Sequence, residues 1–193
     1  MRVMKTFFLG LVAMMLGCSA ELSDYQDASP RFDLFGYFEG RVDAWGMVQD
    51  RSGKQTRRFY VELNGAIDGN VLTLDEQFKF DDGEKSTRIW VITRLNDGTY
   101  EGRADDIIGI ATGKEVGNAL HWTYDFELPR GDSTVTVFFD DWLYRQDDKH
   151  VFNLTSIRKF GLEFGRLTLF FRSNNVAEIT VCYKSRIGFF ARS

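Results

Sequence analysis

Residues 72–98 read LTLDEQFKFDDGEKSTRIWVITRLNDG: two runs of alternating apolar and polar residues, each followed by a glycine-bearing turn. On the first run Leu72, Leu74, Glu76, Phe78 and Phe80 share one side, and Thr73, Asp75, Gln77 and Lys79 the other, because successive strand residues point to opposite faces. The DDG at 81–83 places glycine third in a three-residue hairpin, a type I turn closed by a left-handed residue that glycine enters at little cost. Such a loop sets Phe80 opposite Glu84, so Glu76 meets Arg88, Leu74 meets Trp90 and Leu72 meets Ile92. The NDG at 96–98 repeats the device and sets Leu95 opposite Thr99, which brings Asp106 to Arg88 and Ala104 to Trp90. A row Glu76, Arg88, Asp106 is thereby predicted across three strands on the apolar face. Unpaired charges on that face are costly, so a carboxylate-guanidinium-carboxylate row is what burial demands of them. Such a row is either an ion pair that fixes register or the polar floor of a ligand pocket, with an acid/base pair as a variant of the second.

The same pattern extends in both directions. Turns at DRSGK (50–54), DGN (68–70) and RGDS (130–133) separate further alternating runs, and no long segment has a 3.6-residue period. About nine strands are predicted, at 36–49, 55–66, 71–80, 84–95, 99–110, 119–128, 134–145, 149–160 and 163–172. The class is all-β, an antiparallel meander of about 8–9 strands closed into a barrel, with a sandwich of the same strands as the alternative. Eighteen phenylalanines on short connected strands favour closure, which removes both sheet edges. A barrel of about this size has an interior that side chains nearly fill or that holds one small ligand.

Acidic doublets recur at 81–82, 105–106, 140–141 and 147–148. Asp81-Asp82 and Asp147-Asp148 read as turn chemistry. Asp140-Asp141 has no glycine behind it and interrupts the strand carrying Val135, Val137 and Phe139. Asp141 continues the apolar face and Asp140 the polar one, unless a β-bulge changes the parity. None of the doublets has the alternating oxygen ligands and distal glutamate of a calcium loop, and two histidines without a cysteine cluster do not make a zinc site. No metal and no cofactor is expected. No G-x-S-x-G elbow or other serine-centred signature is present.

The N-terminus, MRVMKTFFLGLVAMMLGCSA, places Arg2 and Lys5 ahead of an apolar run from Phe7 to Leu16, the plan of a secretory signal over residues 1–17. Small Gly17 before Cys18 resembles the lipobox of bacterial lipoproteins, with Met15 where leucine is usual. That resemblance implies cleavage before Cys18 and acylation of its thiol, then a polar tether over 18–32. Two or more acyl chains hold a protein on a bilayer, where one is marginal. Ser19 stands where an aspartate would favour inner-membrane retention, so the implied location is the periplasmic face of the outer membrane. Only Cys182 would remain as a free thiol, with no partner for an intrachain disulfide. Loss of Arg2 and Lys5 leaves 22 basic against 28 acidic residues, a formal charge of −6, which argues against nucleic acid as a partner.

Five stretches carry a family resemblance: EGRVDAWGMVQDRSGK, LDEQFKFDDGEKSTRIW, YEGRADDIIGIATGKEVGNALHWTYDFELP, FDDWLYRQDD and NLTSIRKFGLEFG. In this order they resemble the bacterial lipoproteins grouped as domain of unknown function 3833, over about Phe35 to Arg172. The resemblance implies a periplasm-facing lipoprotein with a lipocalin-like barrel over 33–173 and no assigned activity. Glu76, Arg88, Trp90, Asp106, Trp122, Tyr124, Asp141, Trp142, Asn153 and Lys159 match its motifs and form the candidate ligand-binding or buried polar set. Residues 174–193 depart from the family's ending and receive no function.

Three functions fit. The first is a binding module anchored to the membrane through Cys18, with a fatty acid or lipid inside the barrel. The second is an enzyme using Glu76 or Asp106 as acid or base on an acyl substrate. The third is an envelope scaffold with a filled barrel that docks a protein partner. An internal cavity separates the first two from the third, and a carboxyl of raised pKa beside it favours the enzyme.

Overall fold

The computed structural model describes residues 19–131 and 133–175 of the 193-residue chain. Ten antiparallel strands form one closed barrel: β1 (Gly40–Asp50), β2 (Gln55–Asp68), β3 (Val71–Phe80), β4 (Lys85–Arg94), β5 (Thr99–Arg103), β6 (Ile107–Val116), β7 (Ala119–Arg130), β8 (Ser133–Arg145), β9 (His150–Lys159) and β10 (Leu162–Ser173). Each pairs with its sequence neighbours, and β1 closes on β10 from Val42↔Ser173 to Asp50↔Gly165. Closure pairs the backbone groups that two sheet edges would otherwise expose, and it decides for the barrel over the sandwich.

The hairpins follow the glycine spacing. Phe80 N donates to Glu84 O at 2.9 Å with Gly83 at φ 89°, and Leu95 N donates to Thr99 O at 2.8 Å with Gly98 at φ 78°. The aspartates brace these loops. Asp82 Oδ1 accepts from Glu84 N at 3.0 Å, Asp97 Oδ1 from Thr99 N at 3.0 Å and Asp147 Oδ1 from Lys149 N at 2.8 Å. The doublets at 81–82 and 147–148 are therefore turn residues whose short side chains cap backbone donors.

Three expected elements differ. The first strand begins at Gly40, and residues Leu34–Phe38 form a short helix, α1, capped by Asp33, whose Oδ1 accepts from Gly36 N at 3.1 Å. The strand expected at 99–110 is two, because the chain reverses at Ala104–Asp106 with Ile107 N donating to Ala104 O at 3.1 Å. That turn contains no glycine, so the alternation runs through it unbroken in the sequence, and the strand count rises from nine to ten. Residues 19–32 were expected as a tether, yet from Tyr25 onward this segment packs on the barrel. The Tyr25 ring lies 5.9 Å from Trp142 and 5.4 Å from Tyr144, and Phe32 N donates to Gly117 O at 2.7 Å. Tyr25 and buried Phe32 supply the apolar anchors that a free tether lacks.

Helix α1 plugs the barrel end formed by the β2–β3, β4–β5, β6–β7 and β8–β9 connections. Leu34, Phe35, Tyr37 and Phe38 are buried there. Leu34 N donates to Glu115 Oε2 at 3.0 Å, Tyr37 Oη donates to Lys149 O at 2.9 Å, and Arg94 pairs with Asp33 at 3.2 Å. Gly65 makes the closest approach: a Cβ at this position would overlap the Phe38 carbonyl. Below the plug, alternate residues face inward to form the core, with Val42, Val61, Leu63, Leu72, Leu120, Val137 and Val151 almost wholly enclosed. Ser173 N donates to Lys149 O at 2.8 Å and Asn174 N to Arg41 O at 2.9 Å at the chain's described end. The expected signal peptide, Cys18, Cys182 and residues 176–193 lie outside the described residues.

Candidate functional site

The inward face leaves a cavity of about 130 Å³ between α1 and the strands. Leu63, Leu74, Trp90, Leu120, Trp122, Tyr124, Leu143, Leu169 and Phe171 wall it, with Leu34 and Phe38 from the plug. Glu76, Arg88, Asp141 and Asn153 supply its polar surface. Glycines make room for the rings. A Cβ at Gly102 or Gly113 would overlap the Trp122 indole, which lies across β5 and β6 and meets Trp90 edge-on at 6.0 Å. Trp90 meets Tyr124 likewise at 5.5 Å.

Register delivers the polar row. Glu76 pairs with Arg88 across β3–β4, and Arg88 Nε donates to Glu76 Oε2 at 2.7 Å. The guanidinium lies 5.3 Å from the Phe78 ring centre and 5.5 Å from that of Trp90, within cation–π range. Asp106 arrives by a different route from the one expected. The β4–β5 register is the predicted one, Val91↔Arg103, but the ladder ends there, and Asp106 reaches Arg88 Nη1 at 3.5 Å from the following turn. Trp90 consequently has no ladder partner at Ala104. Asp106 Oδ1 is buried without a hydrogen-bond partner.

Strand β8 keeps its parity through the 140–141 doublet, with no bulge against β7. Val137, Phe139, Asp141 and Leu143 therefore face inward. Asp141 Oδ1 accepts a short hydrogen bond from Thr155 Oγ1 and a longer one from Asn153 Nδ2 at 3.5 Å. Asp140 faces outward, 2.8 Å from His121 Nε2 and 3.1 Å from Arg158.

Burial raises the pKa of Glu76 above the ordinary glutamate value, opposed by the Arg88 charge and its hydrogen bond. Burial also raises Asp141, opposed by hydrogen bonds from Thr155, Tyr124 and Asn153. The Tyr124 hydroxyl, buried and beside Asp141, is pushed well above its ordinary value and stays protonated. The cavity thus presents two carboxyls that resist ionisation, one guanidinium already shared, and a phenol that donates.

Seven of the ten candidates meet here: Glu76, Arg88, Trp90, Trp122, Tyr124, Asp141 and Asn153. Asp106 touches the group through Arg88. Two candidates do not join it. Inward Asp141 forces Trp142 outward, where it stacks on His121 at 4.3 Å and on Tyr144 at 6.1 Å. Lys159 has inward parity but lies at the rim, its Nζ 5.3 Å from the Phe160 ring centre. Thr155 was missed, although its alternation with Asn153 and Ile157 marks it as inward. The plug residues Leu34 and Phe38 were missed because a five-residue helix in an apolar run looks like the start of a strand.

Among the described residues no group of three or more His, Cys, Asp or Glu side chains is placed to hold a metal ion, and no helix is long and apolar enough to cross a membrane.

A meander of ten strands closed on itself, plugged at one end and hollow at its centre, defines a lipocalin-like barrel. The chain belongs to the family described as protein of unknown function (DUF3833), whose model matches residues 12–173. No curated protein matches it. Among solved structures it is similar to the S-type phycobiliprotein lyase CPES from Guillardia theta, with a TM-score of 0.49 and 8% sequence identity. That match covers 74% of this chain and 92% of the other.

Proposed function

We propose that the protein is a lipid-anchored binding module of the bacterial envelope, held on the periplasmic face of the outer membrane through Cys18, whose barrel receives a hydrophobic ligand of the lipid class. The observation that carries the binding reading is the ring-lined cavity with polar groups on two sides, Glu76 and Arg88 from β3 and β4 and Asp141 and Asn153 from β8 and β9. Its volume limits what enters. About 130 Å³ compares with roughly 150 Å³ for an apolar cavity that admits benzene, and with roughly 300–1,000 Å³ for pockets that enclose drug-sized ligands. One ring or a short length of chain fits, and a whole diacyl lipid does not. Arg88 and Asp106 keep 21% and 36% side-chain exposure, so this part of the polar row meets solvent.

Native purification followed by organic extraction and mass spectrometry is expected to recover a hydrophobic small molecule at a fixed ratio to protein. Leu120→Phe, which adds volume to the cavity wall, is expected to reduce that ratio. Equal recovery from the variant would place the ligand elsewhere. For the anchor, labelled fatty acid should enter the wild type and not Cys18→Ser, and equal labelling of both would remove the lipoprotein reading.

One observation favours an enzyme as the second reading: Glu76 and Asp141 are carboxyls of raised pKa beside a cavity, the condition for general acid or base work. Its test is turnover of short acyl esters that is lost in Glu76→Gln or Asp141→Asn while the fold is kept.

A further inference from the structure

The charge pattern inside the cavity selects among hydrophobic ligands by their head groups, a selection that rests on the binding reading of the barrel. Among the described residues Arg88 is the sole cation in the cavity lining. Its Nε is engaged by Glu76 at 2.7 Å and its Nη1 by Asp106 at 3.5 Å. Two carboxylates already share one positive charge, so an incoming anion finds no free counter-charge.

Asp141 sharpens the imbalance. The residue is only 7% exposed and its side chain lines the cavity, yet it forms no salt bridge among the described residues. Its neighbours Thr155 and Asn153 are neutral and bind one oxygen, Oδ1, and the third donor beside it, the Tyr124 phenol, is neutral as well. A nearly enclosed carboxyl group facing an open volume has room for a donor from the volume itself. Outside the lining, behind Arg88, Asp106 Oδ1 is a buried acceptor without a donor. Among the described residues the lining thus holds two carboxyls, Glu76 and Asp141, against the one guanidinium of Arg88, beside its aromatic wall.

We propose that the cavity takes an amphiphile with a donor head, an amine in preference to a carboxylate, its head at Asp141 and its apolar part against Trp90, Trp122 and Leu120. An ammonium head supplies the counter-charge that buried Asp141 lacks, which favours the ionised carboxylate and pairs with it. A carboxylate head adds a further negative charge where the dielectric is low and the only cation is taken. An alcohol falls between the two, since it donates one hydrogen bond and brings no charge.

The test uses three ligands of nearly the same shape and a size suited to the void: benzylamine, benzyl alcohol and benzoate, titrated calorimetrically at neutral pH into the mature chain. Benzylamine is expected to bind about tenfold or more tighter than benzoate, a difference close to the smallest clear effect of one favourable charge contact, with benzyl alcohol between them. Asp141→Asn is expected to weaken benzylamine by a larger factor than benzyl alcohol, with circular dichroism and a cooperative melt checking that the variant folds. Benzoate binding as tightly as benzylamine overturns the head-group preference and leaves the binding reading standing. Failure of all three to bind overturns the binding reading, and the preference falls with it. The wild-type comparison decides the matter even if the Asp141 variant does not fold.

Discussion

Replacing Arg88 by methionine keeps much of the side chain's apolar length and removes its charge, so the variant isolates what the guanidinium does for Glu76. Glu76 is buried and 2.7 Å from Arg88 Nε, whereas the Asp106 contact is 3.5 Å long and a third exposed. The Asp106 contact therefore adds little, about 0–1 kcal/mol. Breaking a buried pair from one side costs roughly 3–5 kcal/mol because the remaining charge is stranded. Glu76 has a cheaper escape, which is to take up a proton, since burial already raises its pKa above the ordinary 4.5. Protonating an ordinary glutamate at pH 7 costs about 1.36 kcal/mol for each pH unit above 4.5, so the penalty is capped at about 3.4 kcal/mol. At pH 5 the same cap is about 0.7 kcal/mol. Urea unfolding at the two pH values is therefore expected to show Arg88→Met losing about 3 kcal/mol at pH 7 and about 1 kcal/mol at pH 5. Adding Glu76→Gln to Arg88→Met is expected to restore most of the loss at pH 7. A loss that is equal at both pH values, or below about 1 kcal/mol at pH 7, would show that Glu76 is hydrated and the row is not a buried one.

Gly65→Ala sets a methyl group against the Phe38 carbonyl, so α1 must shift; a loss of about 1–3 kcal/mol is expected, with faster amide exchange confined first to residues 34–38. Unchanged stability and exchange would mean that the plug is not seated on β2. Asp141→Asn tests the second buried carboxyl through its pH dependence. A folded pKa raised above the ordinary 3.8 gives stability that is fully present below 3.8 and lost as pH rises through the folded value. The asparagine variant has no such loss, so its stability relative to wild type is expected to improve from pH 3.5 to pH 7. A relative decline over that window would show that the ionised form is the one the fold prefers.

The sequence yields the β3–β4–β5 register because two turn glycines set it, and a strand period of two then fixes every opposed pair. Glu76 and Arg88 were legible for that reason alone. Asp106 was legible as a neighbour of Arg88 but not as a turn residue, since Ala104–Asp106 reverses the chain without glycine or proline. The inward direction of Asp141 depended on the absence of a bulge in β8, which no local residue announces. The hollow itself was least legible. It depends on Gly102 and Gly113 letting the Trp122 ring lie flat on neighbouring strands, and on a plug whose contacts come from residues more than twenty positions away. Those are sums over volumes in three dimensions, and alternation along one strand carries none of them.

Under the proposed Cys18 anchor, the position of the plug bears on how the barrel would meet the proposed ligand. Tyr25 rests on Tyr144, and Phe32 donates to Gly117, so the N-terminal segment is fastened to the barrel end that α1 closes. From Ser19 to Tyr25 six fully extended residues reach at most about 20 Å. A chain held through Cys18 therefore keeps its closed end near the bilayer. The ten residues of β3 span roughly 33 Å along the strand, less along a tilted barrel axis, and they lead away from that end toward the hairpin at 81–83. Glu76 and Arg88 lie slightly nearer this hairpin than the plug, whereas Asp141 and Asn153 lie close to the β8–β9 connection at the plugged end. On the proposed Cys18 anchor, the Glu76–Arg88 side of the cavity lies farther from the leaflet than the plug does, with Asp141 and Asn153 nearer the plug. On that proposal a ligand entering on the Arg88 side comes through the aqueous compartment or from a second surface, and a molecule with a charged donor head tolerates aqueous passage better than a purely apolar one.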